Sequence, residues 1–158
     1  MREAAVQELA RRWKYHPKTL LILKKMAQSN DNLPGQYAAV QELARGWKND
    51  PETLPIIKQV AQYEDNWEVR YSAVEELAVG WKDEPGIFEG LGDIAINHPF
   101  ERLYKSQDNP RKRALEIMLT QYLDRQKTLE ILRDRFANDP DEKVRQFAQK
   151  KLTQLEKL

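Results

Sequence analysis

The sequence predicts an all-α protein, an α-solenoid of about nine helices in stacked antiparallel helical hairpins. Three observations predict it: a block that returns at a fixed step, a helical period inside every block, and cap and proline signals where helices should start. AAVQELARRWKYHPKTLLILKKMAQ, from Ala4, returns as AAVQELARGWKNDPETLPIIKQVAQ from Ala38 and as SAVEELAVGWKDEPGIFEGLGDIAI from Ser72, a step of 34 residues each time. A weaker copy, RALEIMLTQYLDRQKTLEILRDRFA from Arg113, follows after 41 residues, and RQFAQKKLTQL from Arg145, with Ala148 against Ala114, restores the step of 34.

The first helix of a unit is read from its stripe. Ala39, Val40, Leu43, Ala44 and Trp47 fall at i, i+1, i+4, i+5 and i+8, one face of a 3.6-residue period. Ala5, Ala39, Ala73, Ala114 and Ala148 share one column; Leu9, Leu43, Leu77, Met118 and Leu152 share another. Gly46 and Gly80 weaken the helix end, and Asp50-Pro51-Glu52 reads as a new start, with an N-cap acceptor, a proline and an acid at the positive pole. The second helix then carries Leu54, Ile57, Val60 and Ala61, or Leu129, Leu132 and Phe136 in a later copy. Each repeat is thus predicted to be one helical hairpin. Between hairpins, Asp65-Asn66-Trp67-Glu68 resembles a capping box, while Asp108-Asn109-Pro110 and Asp139-Pro140-Asp141-Glu142 place a cap before or beside a proline. Strand patterns are absent. A single repeat domain over 1–158 is expected, with repeats at about 1–34, 35–68, 69–109 (an insertion near 97–105), 110–143 and a terminal helix over 144–158.

Two solenoid families use this period. Tetratricopeptide units carry Trp early in the first helix, whereas Trp13, Trp47 and Trp81 end theirs. Val69-Arg70-Tyr71-Ser72-Ala73 and Val144-Arg145-Gln146-Phe147-Ala148, each preceded by acids, resemble the Asp…Val-Arg-x-x-Ala signature of HEAT repeats of the short, phycobiliprotein-lyase-like kind. That likeness spans essentially the whole chain. The uniform AVQELARGWKNDPETL wording is similar to the repeat tails behind NACHT-type signalling NTPase modules in cyanobacteria. The resemblance implies a HEAT-like, armadillo-like superhelix and a protein-binding scaffold within a larger bacterial sensor. It also permits a bilin lyase subunit or another chromophore-handling protein. Departures from the pattern are Gln36 in the Arg column, Pro34-Gly35 before it, and Asn97 to Lys105 as diverged sequence. Met1-Arg2 stands in the Val-Arg slot, so the array is expected to belong to a longer one.

Composition narrows the chemistry. Lys and Arg number 26 against 25 acids, a net +1 that gives no broad field for nucleic acid. By repeat the net charge runs +4, −3, −4, +1 and +3, so an acidic middle argues against tracking a phosphate backbone. This disfavours a HEAT-like DNA-repair protein. With no Cys and only His16 and His98, thiolate chemistry is excluded and no metal spacing exists. Nucleotide-binding and hydrolase motifs such as G-x-x-x-x-G-K-[ST] and G-x-S-x-G are missing. No catalytic residue, cofactor, metal or membrane span is expected, and a cytoplasmic location is expected from first residues that lack a signal-peptide core.

Arg2, Arg70, Arg111 and Arg145 lie with the apolar stripe, so a structural ladder to Asp65, Asp108 and Asp139 is preferred over a phosphate site. Trp13, Trp47 and Trp81 could form a stacking platform, but their stripe position predicts core, with Trp47→Ala costing about 3–5 kcal/mol. In HEAT arrays the Val-Arg helices line the concave side. The candidate contacts for a protein or peptide partner are therefore Gln7, Arg11, Gln41, Arg45, Ser72, Glu75, Val79, Arg113 and Glu116. A second set, in the insertion, is Phe100, Arg102, Tyr104 and Lys105. The last helix, with Lys150, Lys151, Glu156 and Lys157, suits a polar end cap, while the first repeat has none and is expected to allow self-association.

Overall fold

A computed structural model describes residues 2–157, and among them there are nine helices and no strand. The chain forms two compact units, Met1–Glu84 and Pro85–Leu158. The first holds α1 (Glu3–Arg12), α2 (Pro17–Ala27), α3 (Leu33–Gly46), α4 (Thr53–Tyr63) and α5 (Trp67–Gly80). The second holds α6 (Ile87–Asn97), α7 (Pro110–Gln121), α8 (Gln126–Asn138) and α9 (Glu142–Glu156). The architecture is an all-α solenoid. In the first unit α1, α3 and α5 pack side by side as one layer and α2 and α4 form the other; in the second, α6 packs on α8 and α7 on α9.

The closest packing joins the second helix of one repeat to the first helix of the next: α2 on α3, α4 on α5, α6 on α7 and α8 on α9. Helices within a 34-residue repeat meet chiefly around their shared turn, which moves the tight hairpin half a repeat from its expected place. The alanine column explains how closely neighbours approach. Ala39, Ala73, Ala114 and Ala148 are fully buried, and Gly35 lets α3 pass so near α2 that a Cβ there would lie 2.8 Å from Met26 Cε. Leu43, Leu77 and Met118 fill the second column, while Ala5 at the first helix stays exposed.

The turn inside each repeat has a recurring lock that the periodicity did not disclose. Thr19, Thr53 and Thr128 are buried, and each hydroxyl donates to the carbonyl of the aromatic residue six positions earlier: Trp13 (2.7 Å), Trp47 (2.8 Å) and Tyr122 (2.7 Å). That carbonyl also accepts a backbone N–H three residues on, from His16, Asp50 and Arg125 respectively. Two donors on one carbonyl satisfy a helix-end acceptor and fix the chain reversal. In the third repeat Ile87 replaces the threonine, and Gly86, at φ +88, supplies the left-handed residue before α6.

Two of the three caps between repeats fall one or two residues from their expected positions, and the third, Asn109 before Pro110, falls where expected. Asn66, not Asp65, caps α5, accepting from Glu68 N and Val69 N at 3.1 Å each. Asn109 caps α7 with Pro110 at its first turn, and Asp141 rather than Asp139 caps α9. Asp139 is released for another task.

Candidate functional site

The column expected to carry arginine forms a buried polar bridge across each unit. In the second unit Arg111 (2 % exposed) pairs with Asp139 through Nε–Oδ2 at 2.9 Å and Nη2–Oδ1 at 3.0 Å. Its Nη1 donates to the carbonyls of His98 (2.6 Å) and Phe100 (3.1 Å), so the guanidinium is bonded within the fold at all three nitrogens. Asp139 also accepts from Asp141 N at 2.9 Å, tying the bridge to the cap of α9. In the first unit the same register holds Gln36 and Glu64: Gln36 Nε2 donates to Glu64 Oε2 at 2.7 Å and to Ala27 O at 3.2 Å, and Glu64 Oε1 accepts from Asn66 N at 2.9 Å. Both pairs are 28 residues apart. The ladder is thus structural, but its acids are Glu64 and Asp139; Asp65 and Asp108 are exposed. Arg145 donates to the carbonyls of Asp139 and Pro140, Arg70 lies over the Trp67 ring at 3.9 Å, and Arg2 is exposed.

The tryptophans do not form a core. Trp13, Trp47 and Trp81 each stand at a helix C-cap, where the backbone leaves the helix (φ −130, ψ 36 at Trp47) and swings the ring out of the stripe. Trp13 is 58 % exposed, and Trp47 and Trp81 are half-buried. A lysine of the preceding repeat covers each of the latter two, with Lys14 Nζ 5.9 Å from the Trp47 centroid and Lys48 Nζ 5.3 Å from that of Trp81. Phe136 is likewise exposed, at 41 %. Further ion pairs join neighbouring repeats: Lys24 with Asp50 (2.7 Å) and Lys58 with Glu84 (3.0 Å).

The residues expected to form a contact face differ in exposure. On the α1–α3–α5 layer, Gln7, Arg11, Arg45 and Val79 are exposed, and Gln41 and Glu75 are half-buried. They make two columns at the 34-residue step, Gln7/Gln41/Glu75 and Arg11/Arg45/Val79. Ser72 is only 1 % exposed and is no surface contact, because it occupies the column of buried Ala38 where α5 meets α3. Arg45 is held by Glu76 of the next repeat (2.5 Å), while Arg11 stays with Glu8 of its own helix (3.0 Å). Beside Arg45, burial foremost and the neighbouring Glu76 raise the Glu42 carboxyl, with Arg45 and Lys14 opposing. Tyr37 is half-buried at the other end of this face; burial first, then Glu75, Glu3 and Glu68, raise its hydroxyl. In the second unit Arg113 is exposed and Glu116 half-buried, 3.5 Å apart on α7.

The insertion joins α6 to α7 and is pinned to α9. Arg102 pairs with Asp141 (2.7 Å), donates to the Gln107 carbonyl and lies 5.6 Å from the Phe100 centroid. It is therefore engaged within the chain and not offered to a partner; its acid lies 39 residues on, beyond the reach of repeat-based reading. Phe100 is half-buried, whereas Tyr104 and Lys105 are exposed, the Lys105 carbonyl accepting from Lys143 Nζ. Burial works against ionisation of Asp141, yet hydrogen bonds from Arg102, Asn109 and Lys143 N hold its carboxyl down to about 2. Beside this network opens a cavity of about 520 Å³, walled by Pro99, Phe100, Arg111, Pro140 and Glu142 among others.

Among the described residues no group of three or more His, Cys, Asp or Glu is arranged to hold a metal, and no helix is long and apolar enough to cross a membrane. A family model described as HEAT repeats matches residues 1–78, which lie within the first unit. The fourth repeat, outside that span, reproduces the threonine lock and the 28-residue bridge. No curated protein and no solved structure matches the chain.

Proposed function

With HEAT repeats over residues 1–78 as the premise, we propose that this chain is a non-enzymatic protein-binding module whose α1–α3–α5 layer holds an extended segment of a protein partner. The observation that carries the reading is a pair of columns kept out of the core on three adjacent helices, Gln7/Gln41/Glu75, polar throughout, and Arg11/Arg45/Val79, which ends on an exposed apolar residue. Packed helices lie about 8–10 Å apart and an extended chain advances about 3.3 Å per residue, so each helix would meet roughly every third residue of the segment. Gln side chains both donate and accept, which suits main-chain recognition. The salt bridge from Glu76 holds the Arg45 guanidinium in place before any partner arrives, lowering the ordering cost of binding. The likeness of the repeat wording to NACHT-associated tails supports a setting within a larger signalling protein, as part of the same proposal.

Selection of peptides from a random display library against this chain, followed by calorimetry, tests the reading. Selected peptides should lose about tenfold or more in affinity on the double substitution Gln7→Ala, Gln41→Ala, with the melting temperature unchanged. Failure to select any peptide, or affinity indifferent to both glutamines, would defeat it. A tetrapyrrole titration in the same buffer addresses the chromophore-handling alternative, for which a visible absorbance change at micromolar pigment is the required sign.

A further inference from the structure

The polar bridge of each unit borders an open space, and the two spaces differ in a way that goes beyond the peptide-binding reading above. In the first unit the space beside Gln36, Asn30, Tyr63 and Glu64 measures about 170 Å³. In the second, a space beside Arg111 and His98, opening toward the residues after Asp139 rather than those before it, measures about 520 Å³, within the usual size of ligand pockets. The insertion contributes Pro99, Phe100 and Glu101 to a lining that also includes Pro140 and Glu142.

The chemistry of an occupant follows from which lining groups have capacity left. Arg111 is already ion-paired with Asp139 and bonded to two carbonyls, and Arg102 is ion-paired with Asp141 and bonded to the Gln107 carbonyl, so both cationic charges are met within the chain. Asp141 accepts from Arg102, Asn109 and Lys143 N, and by capping α9 it already occupies the positive end of that helix, the place where an anion would bind. The lining charges left without an ionic partner are two carboxylates. Glu101 is exposed and, among the described residues, has no ion-pair partner; Glu142 is exposed and accepts only from Gln146 Nε2 at 3.0 Å. They stand beside an apolar surface of Ile96, Pro99, Phe100 and Pro140.

We propose that this cavity is a binding site for a cationic side chain, arginine or lysine, of a polypeptide, its aliphatic stem lying on Pro99, Phe100 and Pro140 and its charge meeting Glu101 and Glu142. The insertion thereby acts as the wall of a specificity pocket. The Arg102–Asp141 pair holds that wall in place, as a second layer of contacts does for a recognition group.

Amide-resolved NMR titration of the whole chain with blocked Gly-Arg-Gly and Gly-Lys-Gly, blocked Gly-Glu-Gly, guanidinium ion and inorganic phosphate tests the site. The two cationic tripeptides should shift amides of 98–102 and 139–143 with dissociation constants on the order of 1 mM. Glu101→Gln with Glu142→Gln should weaken them about tenfold while leaving the melting temperature and the remaining amide positions unchanged. No shift from either cationic tripeptide overturns the proposal, as does a stronger response to phosphate or to Gly-Glu-Gly. Guanidinium ion binding as tightly as Gly-Arg-Gly overturns the peptide part. Equal binding by the double variant overturns the assignment of the two glutamates.

Discussion

The two units solve one problem with different chemistry. Gln36–Glu64 and Arg111–Asp139 occupy the same register, span the same 28 residues, and each passes through its acid to the cap of the next helix, Asn66 or Asp141. In the first unit a neutral amide meets a carboxylate and a neutral asparagine caps. In the second a full charge meets a charge, and the cap is a carboxylate gripped by Arg102. The arginine also reaches two carbonyls, those of His98 and Phe100, whereas the amide, with two N–H groups, holds its acid and the one carbonyl of Ala27. Arg111 thereby anchors the inserted loop of the second unit.

The sharpest way to break this contrast is Arg111→Ala, which leaves Asp139 buried without its main counter-charge. A loss of about 3–5 kcal/mol is expected by denaturant unfolding, with Arg111→Gln, the chemistry of the first unit, recovering part of it. The acid limb comes next. Asp141 is held near 2 against an ordinary 3.8, so its contribution is full above about pH 4 and disappears as pH falls toward 2. Hydrogen exchange of α9 should show a loss of about 2 kcal/mol over that window, absent in Asp141→Asn and absent in α5, whose cap Asn66 does not titrate. Smallest is Gln36→Ala, expected to cost about 1–2 kcal/mol by unfolding, because Glu64 keeps its bond from Asn66 N. A cost for Gln36→Ala as large as that for Arg111→Ala would show that charge adds nothing to the bridge.

How far the sequence could be read follows from what each signal encodes. Ala39, Ala73, Ala114 and Ala148 announced a buried column because a small residue at fixed spacing has few other uses, and all four are fully buried. Thr19, Thr53 and Thr128 repeat nearly as regularly, yet the sequence does not mark them, since the carbonyl they bind carries no side-chain signature. Trp47 was assigned to the core by extending a helical wheel one step past the helix end; as a half-buried cap residue it should cost less on truncation than a core tryptophan. Ser72 failed as a contact for a related reason: a wheel gives the angle of a side chain but not which flank the neighbouring helix covers. Arg102 needed Asp141, and an insertion breaks the only ruler the repeats provide.

The even separation of the bridging partners has a consequence for how the chain comes into being. Gln36 meets Glu64, and Arg111 meets Asp139, after 28 residues, and Lys24 meets Asp50 after 26. At roughly 5–20 residues per second of synthesis, each clasp can close about 1–6 s after its first half leaves the ribosome, long before the array is finished. Within each unit the growing end then waits for its partner while the clasps before it are already latched.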